Sequence, residues 1–233
     1  MSTNTRQQTQ PLALKCEFCD EFSGGLDNSF AARYQSEFRT RTVLRTQNFR
    51  VLPSLGQIVE GYLLIVPVRH RTALANLPTQ LIQELSELCR RVRNGLSSSY
   101  GQCLFFEHGV RAEQSGGCGI DHAHLHAVPF AGAREPIDEL KHRHSFKMIS
   151  GISEINDAIR MGSSYLYYEN LSGQPYVFDV DFMPSQYVRK LLAQSIGIDL
   201  WDWREYGREQ ALASSLMRLS EYFSDDSASI AVG

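Results

Sequence analysis

The chain has 233 residues, 42% hydrophobic and 21% charged, which is ordinary for a globular protein able to bury a real core. A formal net charge of −3 and a pI near 6.2 exclude a general pull toward nucleic acid or anionic membrane, so any phosphate binding must be local. The longest apolar run, "YLLIVPV", is far too short to cross a bilayer, and no membrane partner is expected.

The first fifteen residues, "MSTNTRQQTQPLALK", are polar and lack the apolar segment of a secretory signal. They read as a flexible tail on a cytoplasmic protein. Cys16 and Cys19 follow as a close pair, which in a reducing compartment suggests metal or redox use rather than a structural disulfide. "TVLRT" and "FRVLPS" read as short strands, and "GYLLIVPVRH" as a buried strand ending at Pro67. From Thr79, an N-cap candidate behind Pro78, the apolar residues Leu81, Ile82, Leu85, Leu88, Val92 and Leu96 recur at helical spacing. "QCLFFEHG" predicts another strand, followed by the glycine-rich "VRAEQSGGCGI" and then by "DHAHLHAVPF". Cys89 and Cys103 sit in apolar stretches and read as buried small hydrophobes.

Past Pro136, "PIDELKHRHSFKMI" and "ISEINDAIRMG" read as helices, "SYLYYEN" and "PYVFDVD" as a hairpin, and "SQYVRKLLAQSIG" and "REQALASSLMRLSEYF" as two more helices. The whole reads as α+β: a mainly antiparallel sheet of about five strands plus helices over residues 16–135, an α/β C-terminal extension over 136–224 packed on that core, and a disordered tail over 225–233.

His122, His124 and His126 alternate, so on a strand they share one face. Ala123, Leu125, Ala127 and Val128 would then face a core, leaving the histidines on an open or cleft side. One metal cannot take all three comfortably: at ~3.3 Å per residue the outer α-carbons are about 13 Å apart. A histidine reaches a metal only roughly 6 Å from its own α-carbon. The three must divide their labour. Cys16-x-x-Cys19 with His70 and His122 would suit a closed structural Zn²⁺ site; two ordinary reduced thiols near a chain end fit the spacing equally. His124 then projects into the cleft as a nucleophile toward activated phosphorus. Gly116, Gly117 and Gly119 can bring backbone N–H groups to phosphate oxygens, and His126 can hydrogen-bond the same phosphate or the leaving group.

"HAHLHAV", together with "CEFC", "GYLLIVPVRH" and "FFEHG", resembles the histidine triad (HIT) superfamily over residues 16–130. The resemblance implies a HIT-like fold and Zn²⁺ held by Cys16, Cys19, His70 and His122. It implies His124 as nucleophile on the α-phosphorus of a nucleotide, His126 as stabiliser of the transferring phosphoryl group, and a homodimer. Departures cluster around the substrate. Gly119 stands where the family usually has Ser or Thr, with Ser115 and Cys118 as nearby substitutes. Glu107 replaces an asparagine, and Ser54 aligns near the acidic residue that usually grips the ribose.

The substrate-binding candidates are therefore Gly117, Cys118, Gly119, Glu107, His108 and Ser54. His142 and His144 read as a solvated helix face. Trp201 and Trp203 could stack a base, but read more simply as packing a terminal helix onto the core. The leading expectation is a hydrolase that cleaves a nucleoside monophosphate conjugate through a nucleotidyl-histidine on His124. A nucleotidyltransferase or phosphorylase with the same histidine is the near alternative. A non-catalytic nucleotide-binding module and a cupin-like metalloenzyme are more distant ones.

Overall fold

The computed structural model describes residues 16–109, 120–159, 163–180 and 183–230. Among these, eight strands form one antiparallel sheet: β1 Leu44–Arg45, β2 Phe49–Pro53, β3 Leu63–Pro67, β4 Cys103–Gly109, β5 Leu125–Pro129, β6 Phe146–Met148, β7 Tyr165–Glu169 and β8 Pro175–Asp179. Their spatial order is β1-β2-β3-β5-β4-β7-β8-β6. The α+β reading and the antiparallel sheet hold, with eight strands where about five were expected. The extra three come from the region after Pro136. β7 hydrogen-bonds along β4 from Phe105↔Glu169 to Gly109↔Tyr165, so that region continues the sheet rather than resting on it.

Side-chain alternation explains the layering. Val51, Ile65, Phe105, Leu125, Ala127 and Tyr167 point into one core; Leu52, Leu64, Val66, Phe106, Val128 and Phe178 point into the other. The first core is closed by α3 (Thr79–Ser99) and α7 (Glu209–Ile230), through Leu85, Leu88, Val92 and Leu96 on one and Leu212, Leu216 and Leu219 on the other. The second is closed by α1 (Glu17–Ser23), α4 (Ile137–Arg143) and α6 (Tyr187–Ser195), through Phe18, Ile137, Leu140, Val188 and Leu192. With helices on both sides, central strands must be apolar on both faces, and β3 is buried at every position. Cys103 is buried in the first core, and half-buried Cys89 packs against it.

Four local expectations change. Thr79 is the first helical residue, and Pro78 is the cap with no side-chain bond; the fixed proline φ suits this entry, and the Pro78 carbonyl accepts from Leu81 and Ile82. α4 stops at Arg143, and Phe146–Met148 is an exposed edge strand on β8 rather than helix. That outcome depends on the open backbone of β8, which sequence periodicity does not register. The second expected helix is a 3-10 turn, Ile152–Glu154, running into the single turn α5, Ile155–Ala158. α7 runs to Ile230, into the stretch read as a disordered tail; once a buried face fixes a helix, extension by polar residues adds one hydrogen bond per residue. The short α2, Ser29–Tyr34, is capped by Asn28, whose side chain accepts from Ala31 N. No helix among the described residues is long and apolar enough to cross a membrane.

Candidate functional site

The Cys-x-x-Cys pair forms the start of α1. Cys16 has extended backbone and is the N-cap, its Sγ accepting from the Cys19 N–H at 3.4 Å. One helical turn thus sets both sulfurs on the same side. Gly24, at φ +80°, ends the helix by donating to the Asp20 and Glu21 carbonyls. His70 follows β3, and His122 lies just ahead of β5. These four bring their donor atoms within 4.8 Å of one another. Cys16 Sγ is 3.2 Å and Cys19 Sγ 3.6 Å from His122 Nδ1, and Cys19 Sγ is 3.5 Å from His70 Nδ1. Zinc bonds of ~2.3 Å to sulfur and ~2.05 Å to nitrogen give a tetrahedral S···N edge of about 3.6 Å. The three S···N spacings are therefore close to the edges of a tetrahedral site. His122 Nε2 donates to the Pro67 carbonyl at 2.8 Å, which leaves the Nδ1 lone pair facing the sulfurs, as a metal-binding imidazole requires. Burial pushes the Cys16 thiol up to about 11 and His122 down to about 4. Both prefer neutral forms there, and a dication would reverse the preference at sulfur.

His124 and His126 lie on the second-core side of the sheet, with Val128. Of the open or cleft side expected from the alternation, the cleft is what forms: the three histidines are 1%, 6% and 5% exposed because α1 and α6 cover that side. Val128, expected to face the other way, shares it. Only His126 is within β5. It pairs with Leu64 on β3 and Phe106 on β4, and its ring stacks on Phe106 at 4.1 Å with 5° between planes. Tyr62 Oη lies 2.7 Å from His126 Nδ1. His124 Nδ1 is 2.6 Å from the His122 carbonyl; a carbonyl only accepts, so Nδ1 carries the proton and Nε2 the lone pair. Phe18 meets the His122 and His124 rings edge-on at 5.6 Å each. Burial lowers the pKa of His124 to about 4 and that of His126 well below its usual value, so both rings are neutral.

A partly open cleft has both histidines in its wall. Leu64, Phe106 and His108 come from the sheet, and Glu17 and Phe18 from α1. The opposite wall is Met183, Gln186, Tyr187, Val188, Arg189 and Trp203, all from the region after Pro136. Two arginines flank the cleft. Arg41 forms a two-pronged ion pair with Glu21 at 2.9 and 2.7 Å and donates to the Pro53 carbonyl. Arg189 donates from Nε to the Trp201 carbonyl, from Nη1 to Ser54 Oγ and from Nη2 to the Gly56 carbonyl, and lies over the Tyr62 ring.

Of the substrate-binding candidates, Ser54 and His108 are in the cleft wall. Glu107 is not. Strand alternation turns it to the other face, where it accepts from Leu74 N at 2.8 Å and Tyr165 Oη at 2.5 Å; burial raises its pKa to about 7. Ser115, Gly116, Gly117, Cys118 and Gly119 lie outside the described residues. His142 is exposed on α4, and His144 caps it. Trp203 lines the cleft instead of serving only to pack a helix, while Trp201 packs against the second core. Sequence reasoning missed Arg189, Gln186 and Arg41. Arg189 reads as one more charge in "YVRKLLAQS", and only its burial marks it. Gln186 gives a backbone signal, φ +61° in a non-glycine residue at the helix entry.

No protein-family model matches the chain, and no curated protein matches it significantly. Solved structures do. The resemblance is to histidine triad proteins. A HIT family protein from Bacillus anthracis is 18% identical over 52% of this chain and 77% of its own, with a TM-score of 0.38. A zinc-bound histidine triad family protein from Mycobacterium smegmatis is 18% identical over 61% of this chain and 88% of its own, with a TM-score of 0.37. A HIT family hydrolase from Clostridium thermocellum is 15% identical over 52% of this chain and 96% of its own, with a TM-score of 0.36. The similarity spans about half of the present chain, and the chemistry has to be argued from its own side chains.

Proposed function

We propose that the chain hydrolyses a nucleoside monophosphate conjugate, a phosphoanhydride, phosphoramidate or phosphoester, through a covalent intermediate on His124. The observation that carries this is the His124 tautomer: Nδ1 is committed to the His122 carbonyl, and the lone pair is on Nε2 in a ring that lines the cleft. In the first step the Nε2–P bond forms as the bond from phosphorus to the leaving group breaks. The leaving group departs with the electron pair and is protonated from solvent. In the second, water forms an O–P bond, the Nε2–P bond breaks and returns the lone pair to nitrogen, and the water proton passes to solvent. His126, held by Tyr62 and the Phe106 ring, is placed beside the transferring group, where a fixed polar group stabilises developing charge at little reorganisation cost. Trp203 and Phe18 offer aromatic surface for a base.

Cys16, Cys19, His70 and His122 are the proposed Zn²⁺ ligands. With all four donors from protein, the ion would serve as a closed structural cross-link between α1 and the histidine segment. A cytoplasmic homodimer acting on a small-molecule nucleotide completes the proposal.

Incubating the protein with a panel of nucleotide conjugates and examining quenched protein by mass spectrometry tests it. A nucleotidyl adduct on His124, with free monophosphate released in water alone, is the expected result. Release only on adding a phosphate or sugar phosphate acceptor would turn the assignment to a transferase or phosphorylase. No adduct and no product across the panel would overturn the enzymatic reading.

A further inference from the structure

Arg189 is 3% exposed, yet among the described residues its three hydrogen-bond acceptors, Trp201 O, Ser54 Oγ and Gly56 O, are all neutral. The other buried cleft cation, Arg41, differs: Glu21 neutralises it at contact distance. The carboxylate of Asp202 is near Arg189, but its contacts are with Gln186 Nε2 and Arg204 N. Removing a guanidinium from water without an ion-pair partner is costly. A guanidinium has five N–H groups, and these three bonds use one on each nitrogen, leaving a second hydrogen on both Nη1 and Nη2.

The surroundings hold this cation at the wall rather than letting it swing out. Ser54 and Gly56 grip it from the sheet side, the Tyr62 ring lies beneath it, and the Trp201 carbonyl anchors its Nε. Gln186 enters α6 in the left-handed region, and its amide ties the helix entry to Asp202 and Trp203. Strain kept at a cleft wall and compensated by two side-chain bonds marks a position the fold over-determines.

We propose that Arg189 forms a second oxyanion subsite, so that the cleft takes substrates with a phosphate or carboxylate in addition to the phosphoryl group at His124. This rests on the His124 reading for the first anion and adds a specificity determinant from the region after Pro136. A planar guanidinium fork suits two-oxygen recognition of either anion. The second oxyanion has three possible positions: the sugar of the nucleotide, the leaving group, or a separate phosphate acceptor.

The test compares kcat/KM for probes that share one base. The parent is a nucleoside 5′-phosphoromorpholidate, with no second anion. The others are the same compound with a ribose phosphate, a 5′-phosphoramidate of an amino acid with a free carboxylate, and the parent with added inorganic phosphate. At least one should exceed the parent by about tenfold on the wild-type protein, the scale of one charge-assisted contact, and which one does so locates the anion. The advantage should collapse in Arg189→Gln and return in part in Arg189→Lys.

Equal rates for all probes on the wild-type protein would overturn the subsite while leaving His124 chemistry intact, as would a preference surviving in folded Arg189→Gln. If Arg189→Gln does not fold, an Arg189→Lys ratio equal to wild type overturns it, because lysine lacks the fork. If no probe reacts, the His124 reading fails and calorimetry with inorganic pyrophosphate decides this one. Saturable binding by wild type that is lost in the variants supports it, and absence of binding overturns it.

Discussion

The bond from His124 Nδ1 to the His122 carbonyl fixes one tautomer, and what His124 can do chemically follows from where that leaves the lone pair. His124→Gln keeps a side chain of similar length but has no nitrogen lone pair on a nucleophilic ring. Turnover should fall by at least ~10³-fold, as loss of a covalent nucleophile does, with thermal unfolding little changed and no adduct by mass spectrometry. Glu107 belongs to stability rather than to the site. Its folded pKa, raised to about 7 from 4.5, means the folded state holds a proton that the unfolded chain has released. The contribution of Glu107 to stability should therefore be fully present below about pH 4.5, be lost as pH rises toward 7, and level off above it, with a slope of at most ~1.4 kcal/mol per pH unit. Glu107→Gln, which can still accept from Leu74 N, should flatten that part of the curve in denaturant titrations at stepped pH. An unchanged slope would mean the carboxyl is ionised throughout.

At the scale of elements, α1 is seven residues long, too short to persist by its own hydrogen bonds. It is held by Phe18 in the second core and by its two cysteines against His70 and His122. The purified protein should contain about one zinc per chain, as a four-donor closed site takes one ion. Chelation, or Cys16→Ser with Cys19→Ser, should lower the melting temperature and speed amide exchange first in α1. Because α1 supplies Phe18 to the cleft, substrate KM should rise in the same preparations. Elemental analysis without zinc, or exchange in α1 indifferent to chelation, would count against the site.

For the whole molecule, the decisive feature is that β7 completes the edge of β4 and that α6 supplies the far wall of the cleft. A chain ended after residue 135 would expose the β4 edge and lose the helices that cover parts of both cores. Exposed apolar edges of that kind promote association between chains. The truncated chain should be found in the insoluble fraction, or as aggregate on size exclusion. A soluble truncated chain with a cooperative thermal transition would show that the first part folds alone.

Short apolar runs bounded by turn residues locate β2, β3, β4, β7 and β8, and 3.6-residue spacing locates α3 and α6. Cys-x-x-Cys with His70 and His122 is legible as one candidate metal set, though spacing alone fits ordinary thiols equally, and "HAHLHAV" stands out because three histidines in five residues are seldom structural. The sequence by itself determined the central strands, the long helix α3 and which residue types could carry chemistry, but not α1 or α2. Tertiary structure alone decided which face each one meets. It laid β4 against β5 so that Phe106 and not Glu107 meets His126, made an edge strand of Phe146–Met148 by offering β8 as a partner, and buried Arg189 beside Ser54 across 135 residues of chain. Burial and long-range pairing are properties of the assembled sheet, and no local window of sequence contains the neighbours that set them.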